Sequence, residues 1–350
     1  MFRLLALLQL TRAVLAFTAI ADAWTVLLLR VPSDPQPAFG TPGFWLVILQ
    51  MLVMAVVSFG LYGFGVALND LLDARRDRIF APRRPIPSGH IKPRGALVVA
   101  LVLLMGALAA TAFLTILHVW SLSLREPPVG IRVRDIVPYS FFFALATAGL
   151  IVFYDATSKY LGGLGLVTLG LIRALHCLIG QPRTPLLFLS MILLTHVIVI
   201  STIAYQLENK RPRLNRGDML TVMLGILIGS GLMLWYMMTR RQWSAELLSM
   251  LVGPAIAGGV YVLWAAGLMF SKKLSPRQKG ERLSLLGLFW LFIYDASMLL
   301  ANGQHLAGAA ITLLLFCAVL SFFGIRWLSR GSIMPRVGYR AERTGEAVVR

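Results

Sequence analysis

The sequence predicts an all-α fold, a polytopic bundle of nine or ten membrane-crossing helices. Composition is the first reason: the chain is 58% hydrophobic and only 14% charged, with a mean hydropathy of +0.77. A soluble domain carries roughly a quarter charged residues. Second, apolar runs recur along nearly the whole length, each about the 20 residues that a bilayer requires. Third, Lys and Arg concentrate in alternate loops between the runs.

Residues 1–328 read as one transmembrane domain and 329–350 as a basic tail, because no loop is long enough to bury a core of its own. The formal net charge is +18. On a soluble protein that would suggest nucleic acid. Here the charge lies in loops, where an anionic lipid surface accounts for it, so membrane lipids are expected partners and nucleic acid is not. Cys177 and Cys317 both lie in apolar runs, which argues against a disulfide framework or a cysteine-based metal site.

The first run, about Leu10–Leu29, carries Arg12 near its start and Asp22 in its interior. It lacks a clear small-residue cleavage site and is followed by further runs, so it reads as a retained span rather than a signal peptide. Asp22 in an apolar helix should face other helices or a wet cavity. The second run, Phe44–Leu68, ends in Asn69, Asp70, Asp73 and Asp77. The following loop contains Arg83 to Gly89, stiffened by Pro85 and Pro87 into a shaped lid. The third run is Ala96–Trp120, and the fourth, Ile136–Phe153, ends in a polar cluster from Tyr154 and Asp155 to Lys159. The fifth, Leu161–Gly180, has Gly162, Gly163, Gly165 and Gly170 for close helix approach, with Arg173 and His176 inside it. The sixth, Pro185–Tyr205, exits into Glu208, Lys210, Arg211 and Pro212. Runs seven to ten are Met219–Met238, Leu247–Phe270, Leu283–Leu300 with Asp295 inside, and Ala307–Leu328. Only Asn302 to His305 separate the last two, which leaves a re-entrant end, and so nine spans, open.

Orientation follows from the basic residues. With the N-terminus inside, the segments 75–94, 154–159, 208–216, 272–282 and the tail are cytoplasmic, and they hold most of the Lys and Arg. In a bacterium this places the protein in the inner membrane. The three polar clusters then share the cytoplasmic face.

Residues three and four apart share a helix face, so Asn69, Asp70, Asp73 and Asp77 form one stripe. Carboxylates at a membrane edge need compensation. A hard cation such as Mg²⁺, bridged to phosphate oxygens, would supply it. The bland alternative is a solvated helix end with Asp73 and Asp77 paired to Arg75, Arg76 or Arg78. The surrounding basic residues suggest a diphosphate, and the bundle suggests a lipid tail between helices. Metal and basic residues would stabilise a departing diphosphate. A dry aromatic pocket would stabilise the allylic near-cation left behind, with Phe64, Phe141, Phe142 and Phe143 as possible liners.

The pattern Asn69-Asp70-x-x-Asp73-x-x-x-Asp77, followed by Arg84-Pro85-Ile86-Pro87-Ser88-Gly89, resembles the signature of the UbiA superfamily of intramembrane prenyltransferases. The resemblance implies transfer of an isoprenoid chain from a prenyl diphosphate to an acceptor, aromatic or lipid-like, with Mg²⁺ as cofactor. It implies Asn69, Asp70, Asp73 and Asp77 as metal ligands, with Asn69 and Asp73 the strongest pair, and Glu208 near a second metal. Lys159 becomes a diphosphate contact and Asp155 a catalytic candidate beside Asn69, Asp73 and Lys159. Further diphosphate contacts are sought among Arg12, Arg76, Arg84, Ser88, Tyr154, Arg173, Lys210 and Arg211.

Two departures stand out. The family commonly has Tyr-x-x-x-Lys after the fourth span, whereas here Asp155 stands four residues before Lys159. Its second Asp-x-x-x-Asp motif is replaced by Glu208 with Pro212 at the second acidic position. The basic residues there suggest that Arg and Lys take over part of a second metal's charge. The alternatives are a non-enzymatic transporter or lipid-binding protein, and another Mg²⁺-dependent lipid-phosphate transferase. Against the transporter, the polar clusters gather at one face rather than at the midplane.

Overall fold

The structure, a computed structural model, describes residues 13–29, 37–82, 84–123, 137–180, 187–239 and 248–331. Among these, every regular element is helical. In chain order the helices are α1 (Ala13–Leu28), α2 (Pro42–Leu72), α3 (Ala74–Phe80), α4 (Pro93–Ser123), α5 (Tyr139–Ala156) and α6 (Gly163–Leu178). There follow α7 (Leu187–Leu207), α8 (Arg216–Thr239), α9 (Val252–Phe270), α10 (Pro276–Ala301) and α11 (His305–Gly331). A single 3-10 turn, Ser158–Tyr160, joins α5 to α6.

Each of the ten apolar runs is helical over most of its described residues, and among these helices eight are long and apolar enough to cross a membrane. The last two runs form separate helices of 26 and 27 residues, which argues against a re-entrant end. The chain is a multi-pass integral membrane protein. Arg12, Arg83 and the tail from 332 onward lie outside the described residues.

Helix α1 is the centre. It packs on α2, α6, α10 and α11, and nearly every side chain described along it is buried. Its 16 described residues give about 24 Å of helix, and neighbouring helices, not lipid, surround it. The outer helices α8, α9 and α11 bury little of their apolar surface, as lipid-facing helices should.

Helix α2 is the longest partner of α4 and packs on α1 and α5 as well. At Gly60 an added Cβ would lie 2.8 Å from the Leu103 carbonyl and 2.9 Å from Ala107 Cβ, so the α2–α4 contact is set by a missing side chain. Glycine works the same way in α6. Gly170 lies against Ile198 of α7, and Gly165 against the Ser158 carbonyl. Thr41 caps the start of α2, its hydroxyl accepting from Phe44 N–H at 3.3 Å, with Pro42 in the first turn. With 31 residues α2 reaches about 46 Å, well beyond the hydrocarbon layer. That surplus carries its last turn, and the acidic stripe, out to the membrane edge.

Candidate functional site

The helical ladder hardly breaks at Asp73. Asp73 N–H donates to the Asn69 carbonyl at 2.9 Å, and Asp77 N–H donates to the Asp73 carbonyl at 2.8 Å. α3 therefore continues α2, and the four residues keep helical spacing. At about 100° per residue, Asn69 and Asp73 stand about 40° apart and Asp77 and Asp70 about 20° apart. The stripe thus has two rows, and each row meets its own cation.

Lys159 serves the first row. Its Nζ lies 3.0 Å from Asn69 Oδ1 and 3.0 Å from Asp73 Oδ1. Tyr160 also donates its hydroxyl to Asp73 Oδ1 at 3.0 Å, and the ammonium sits 5.2 Å from the Tyr160 ring centroid. The 3-10 turn after α5 aims both side chains at one carboxylate. Arg84 serves the second row, with Nη1 at 2.5 Å from Asp77 Oδ2 and 3.3 Å from Asp70 Oδ1. The partners of Asp73 and Asp77 are thus brought in from other segments. Arg75, Arg76 and Arg78, the local candidates, are exposed.

The loop after α3 is folded rather than slack. Ser88 N–H donates to the Arg84 carbonyl at 3.0 Å and Ile91 N–H to the Pro85 carbonyl at 3.0 Å. Gly89 takes φ +79°, a left-handed conformation that favours glycine. Ile86 is buried in the core shared by α2, α4 and α5, so the loop is held down at Ile86 and at Arg84. The Ser88 hydroxyl is turned onto its own loop, 3.3 Å from the Pro85 carbonyl and 2.6 Å from His90 Nδ1.

The other sequence candidates separate. Tyr154 and Asp155 end α5 beside this site, with Asp155 buried. Glu208 pairs with Lys210 at 3.1 Å, and Arg211 is exposed. Arg173 lies in the interior, paired with Asp22 of α1. It is ten residues along α6 from Gly163, about 15 Å of helix. Phe64 is buried among α2, α4 and α5. Phe142 is 54% exposed on the outside of the bundle, which removes it as a pocket liner. Phe141 and Phe143 sit in the first turns of α5, at the end opposite Asp155.

The three polar clusters meet at one end of the bundle, through a residue the sequence did not single out. Asp218, in the first turn of α8, accepts from Gly163 N–H at 2.9 Å through Oδ1 and from Asn215 N–H at 2.9 Å through Oδ2. It caps α6 and ties the segment after α7 to the turn that carries Lys159. Gly162 (φ +52°) and Gly163 leave no room for a side chain against Asp218. Tyr160 was also missed. Its only signal is adjacency to Lys159, since the family-like tyrosine was sought at Tyr154.

Among the described residues no group of three or more His, Cys, Asp or Glu converges as a ready-made metal cage. The donor set nonetheless fits Mg²⁺. That ion typically takes one or two carboxylates and completes its shell with phosphates and water. Asn69 Oδ1 and Asp73 Oδ1 already converge on one cationic nitrogen.

Residues 10–124 match the model of the UbiA prenyltransferase family. The chain is 28% identical over 134 residues to the digeranylgeranylglyceryl phosphate synthase of Sulfurisphaera tokodaii. That match covers 38% of this chain and 39% of the relative. It is 49% identical over 55 residues to the enzyme of the same name from Halobacterium salinarum, covering 16% of this chain and 20% of the relative. The matched stretches thus span well under half of these relatives' own length. A solved structure of digeranylgeranylglyceryl phosphate synthase in membranes superposes with a TM-score of 0.53 at 17% identity, over 87% of this chain and 100% of that one. The resemblance carried by Asn69 to Gly89 is therefore a resemblance to the UbiA prenyltransferase family over residues 10–124, and over most of the chain the fold is like that of the solved synthase.

Proposed function

We propose that the protein is a membrane prenyltransferase that moves an isoprenoid chain from a prenyl diphosphate to an acceptor. The observation that carries this reading is the convergence of Asn69 and Asp73 on Lys159, at the end of a helix that outruns the bilayer. A metal-binding oxygen pair and a diphosphate-binding ammonium stand within one hydrogen bond of each other.

Asn69 and Asp73, with Asp70 and Asp77 in the second row, would hold Mg²⁺. When bound, the ion would draw negative charge toward the departing diphosphate. Lys159 and Arg84 lie beside the carboxylates, where each can reach an anion held against them. Arg84 offers a planar fork that suits phosphate oxygens, and Lys159 a compact charge. Tyr160 fixes the orientation of Asp73. Ile86 holds the 84–91 loop over the site, where it limits water. Asp155 and Tyr154, buried and half-buried at the same end, remain second candidates for donor contact. By the distribution of basic residues the site opens to the cytoplasm.

The family match over residues 10–124 takes in the donor-side residues of α2 and its loop, so it speaks for the donor more than for the acceptor. The name shared by the matched relatives makes a glyceryl phosphate lipid the first acceptor to try. Purified protein incubated with labelled prenyl diphosphates of several chain lengths should release diphosphate only with Mg²⁺ and yield a prenylated product. Absence of release with every chain length would overturn the reading.

A further inference from the structure

A second polar cluster lies deep in the bundle, away from the stripe. Asp22 of α1 and Asp295 of α10 are both fully buried, and each carboxyl acts directly on the other. Arg173 of α6 is in ion-pair contact with Asp22. Thr25, one turn from Asp22, stands beside Asp295. All four carboxyl oxygens and the Thr25 hydroxyl are shut from solvent and, among the described residues, have no partner outside this cluster, and neither nitrogen of the buried His176 has a hydrogen-bonding partner there. These groups converge where α1 packs on α6 and on α10.

The charge count does not close. Among the described residues, two carboxyls face one guanidinium, which leaves one uncompensated negative charge in a low-dielectric interior if both are ionised. That charge is costly enough to be neutralised rather than tolerated. The charged and titratable groups around the pair are Arg173, His176 and Cys177 of α6. Among the described residues, no charged group of the other helices packed on α1 and α10 acts on either carboxyl, and Ser190 of α7 is bonded to Cys177. A metal cation would need a fuller oxygen shell than two carboxyls and one hydroxyl. A proton needs only two facing oxygens.

We propose that Asp22 and Asp295 form an intramembrane proton site, holding one proton between them at neutral pH while the remaining negative charge is matched by Arg173. Asp22, in contact with the guanidinium, is the ionised member, and Asp295 carries the proton. The proton serves as the cluster's missing hydrogen-bond donor and joins α1 to α10, as Arg173 joins α6 to α1. The site is independent of whichever reaction occurs at the stripe.

Unfolding releases both carboxyls to water, where they ionise. The folded state therefore binds one more proton, and its stability falls as pH rises through neutrality. The folding equilibrium then changes by about tenfold per pH unit for one proton.

Infrared spectroscopy of the full chain in detergent tests this directly. At neutral pH the wild type should show a protonated-carboxyl C=O band, and that band should shift when the aspartates are labelled with ¹³C at the carboxyl. Asp295→Asn, which supplies a neutral amide of the same shape, should remove the band, keep the melting temperature and flatten its pH dependence. If Asp295→Asn fails to fold, the isotope shift in the wild type still decides. No labelled band in the wild type would overturn the proposal. Stabilisation by Na⁺ over choline that vanishes in Asp295→Asn would also overturn it, in favour of a metal cation.

Discussion

The acidic stripe at the end of α2 and the buried cluster around Asp22 use the same residue types to opposite ends. In the stripe, Asn69 and Asp73 share Lys159 while Asp70 and Asp77 share Arg84. Each row has a cation of its own, and both cations come from loops or turns at the membrane edge. In the interior, one guanidinium serves two carboxyls, in contact with Asp22 alone, and all three sit on helices locked in the bundle. Near water, a surplus of negative charge can be met by whatever arrives. In the core it has to be met in advance. The stripe is thus built to exchange its partners and the interior cluster to keep them.

The largest break in that contrast should come from the interior. Arg173→Leu leaves a buried charge without its partner and should cost about 3–5 kcal/mol of stability, read as a loss of melting temperature in detergent. A melting temperature unchanged by this variant would mean that the cluster is not a lock. Asp73→Ala should do the reverse. Turnover should fall by about a hundredfold or more, the scale of losing one stabiliser of developing charge. The melting temperature should hold, because Lys159 can return to water. Full turnover in Asp73→Ala would remove the stripe from the chemistry.

Smaller changes sharpen the comparison. Arg84→Lys keeps the charge but loses the guanidinium whose Nη1 reaches both Asp70 and Asp77. Donor affinity should fall roughly tenfold, the worth of one hydrogen bond to a charged group, as read by titration with a non-hydrolysable diphosphate analogue. Glu208→Gln should matter least. Its partner Lys210 is 46% exposed, and such pairs contribute at most about 1 kcal/mol. If Glu208→Gln halved the number of Mg²⁺ ions bound with prenyl diphosphate, a second metal site would exist despite the altered motif.

How far the sequence reached depends on distance along the chain. The apolar runs are legible because a bilayer demands long apolar segments, and the ends that fall on described residues differ by a few residues, except that α10 starts at Pro276 rather than Leu283. The stripe is legible because helical period is a local property of the backbone. Its partners are less so. Arg84 is 14 residues from Asp70, and Lys159 is 86 from Asp73, so their meeting depends on how α5 docks against α2. The same holds for Asp22, Arg173 and Asp295. Each stands out alone as a polar residue in an apolar run, but only the central position of α1 brings them together. Asp218 was hidden for another reason. It looks like one charge among many in a basic loop, and its role is to accept backbone hydrogen bonds, which leave no pattern in composition.

Asp73 Oδ1 receives two donors at once, from Lys159 and Tyr160. Any rotation of that carboxylate would have to break both bonds together. Its torsional freedom is thus already spent on folding, so a ligand arriving at the mouth meets a carboxylate that no longer needs to be ordered. The residue where α2 passes into α3 thus presents a carboxylate fixed before any ligand arrives. Affinity at this site should therefore depend on Tyr160 even for ligands that never touch its ring.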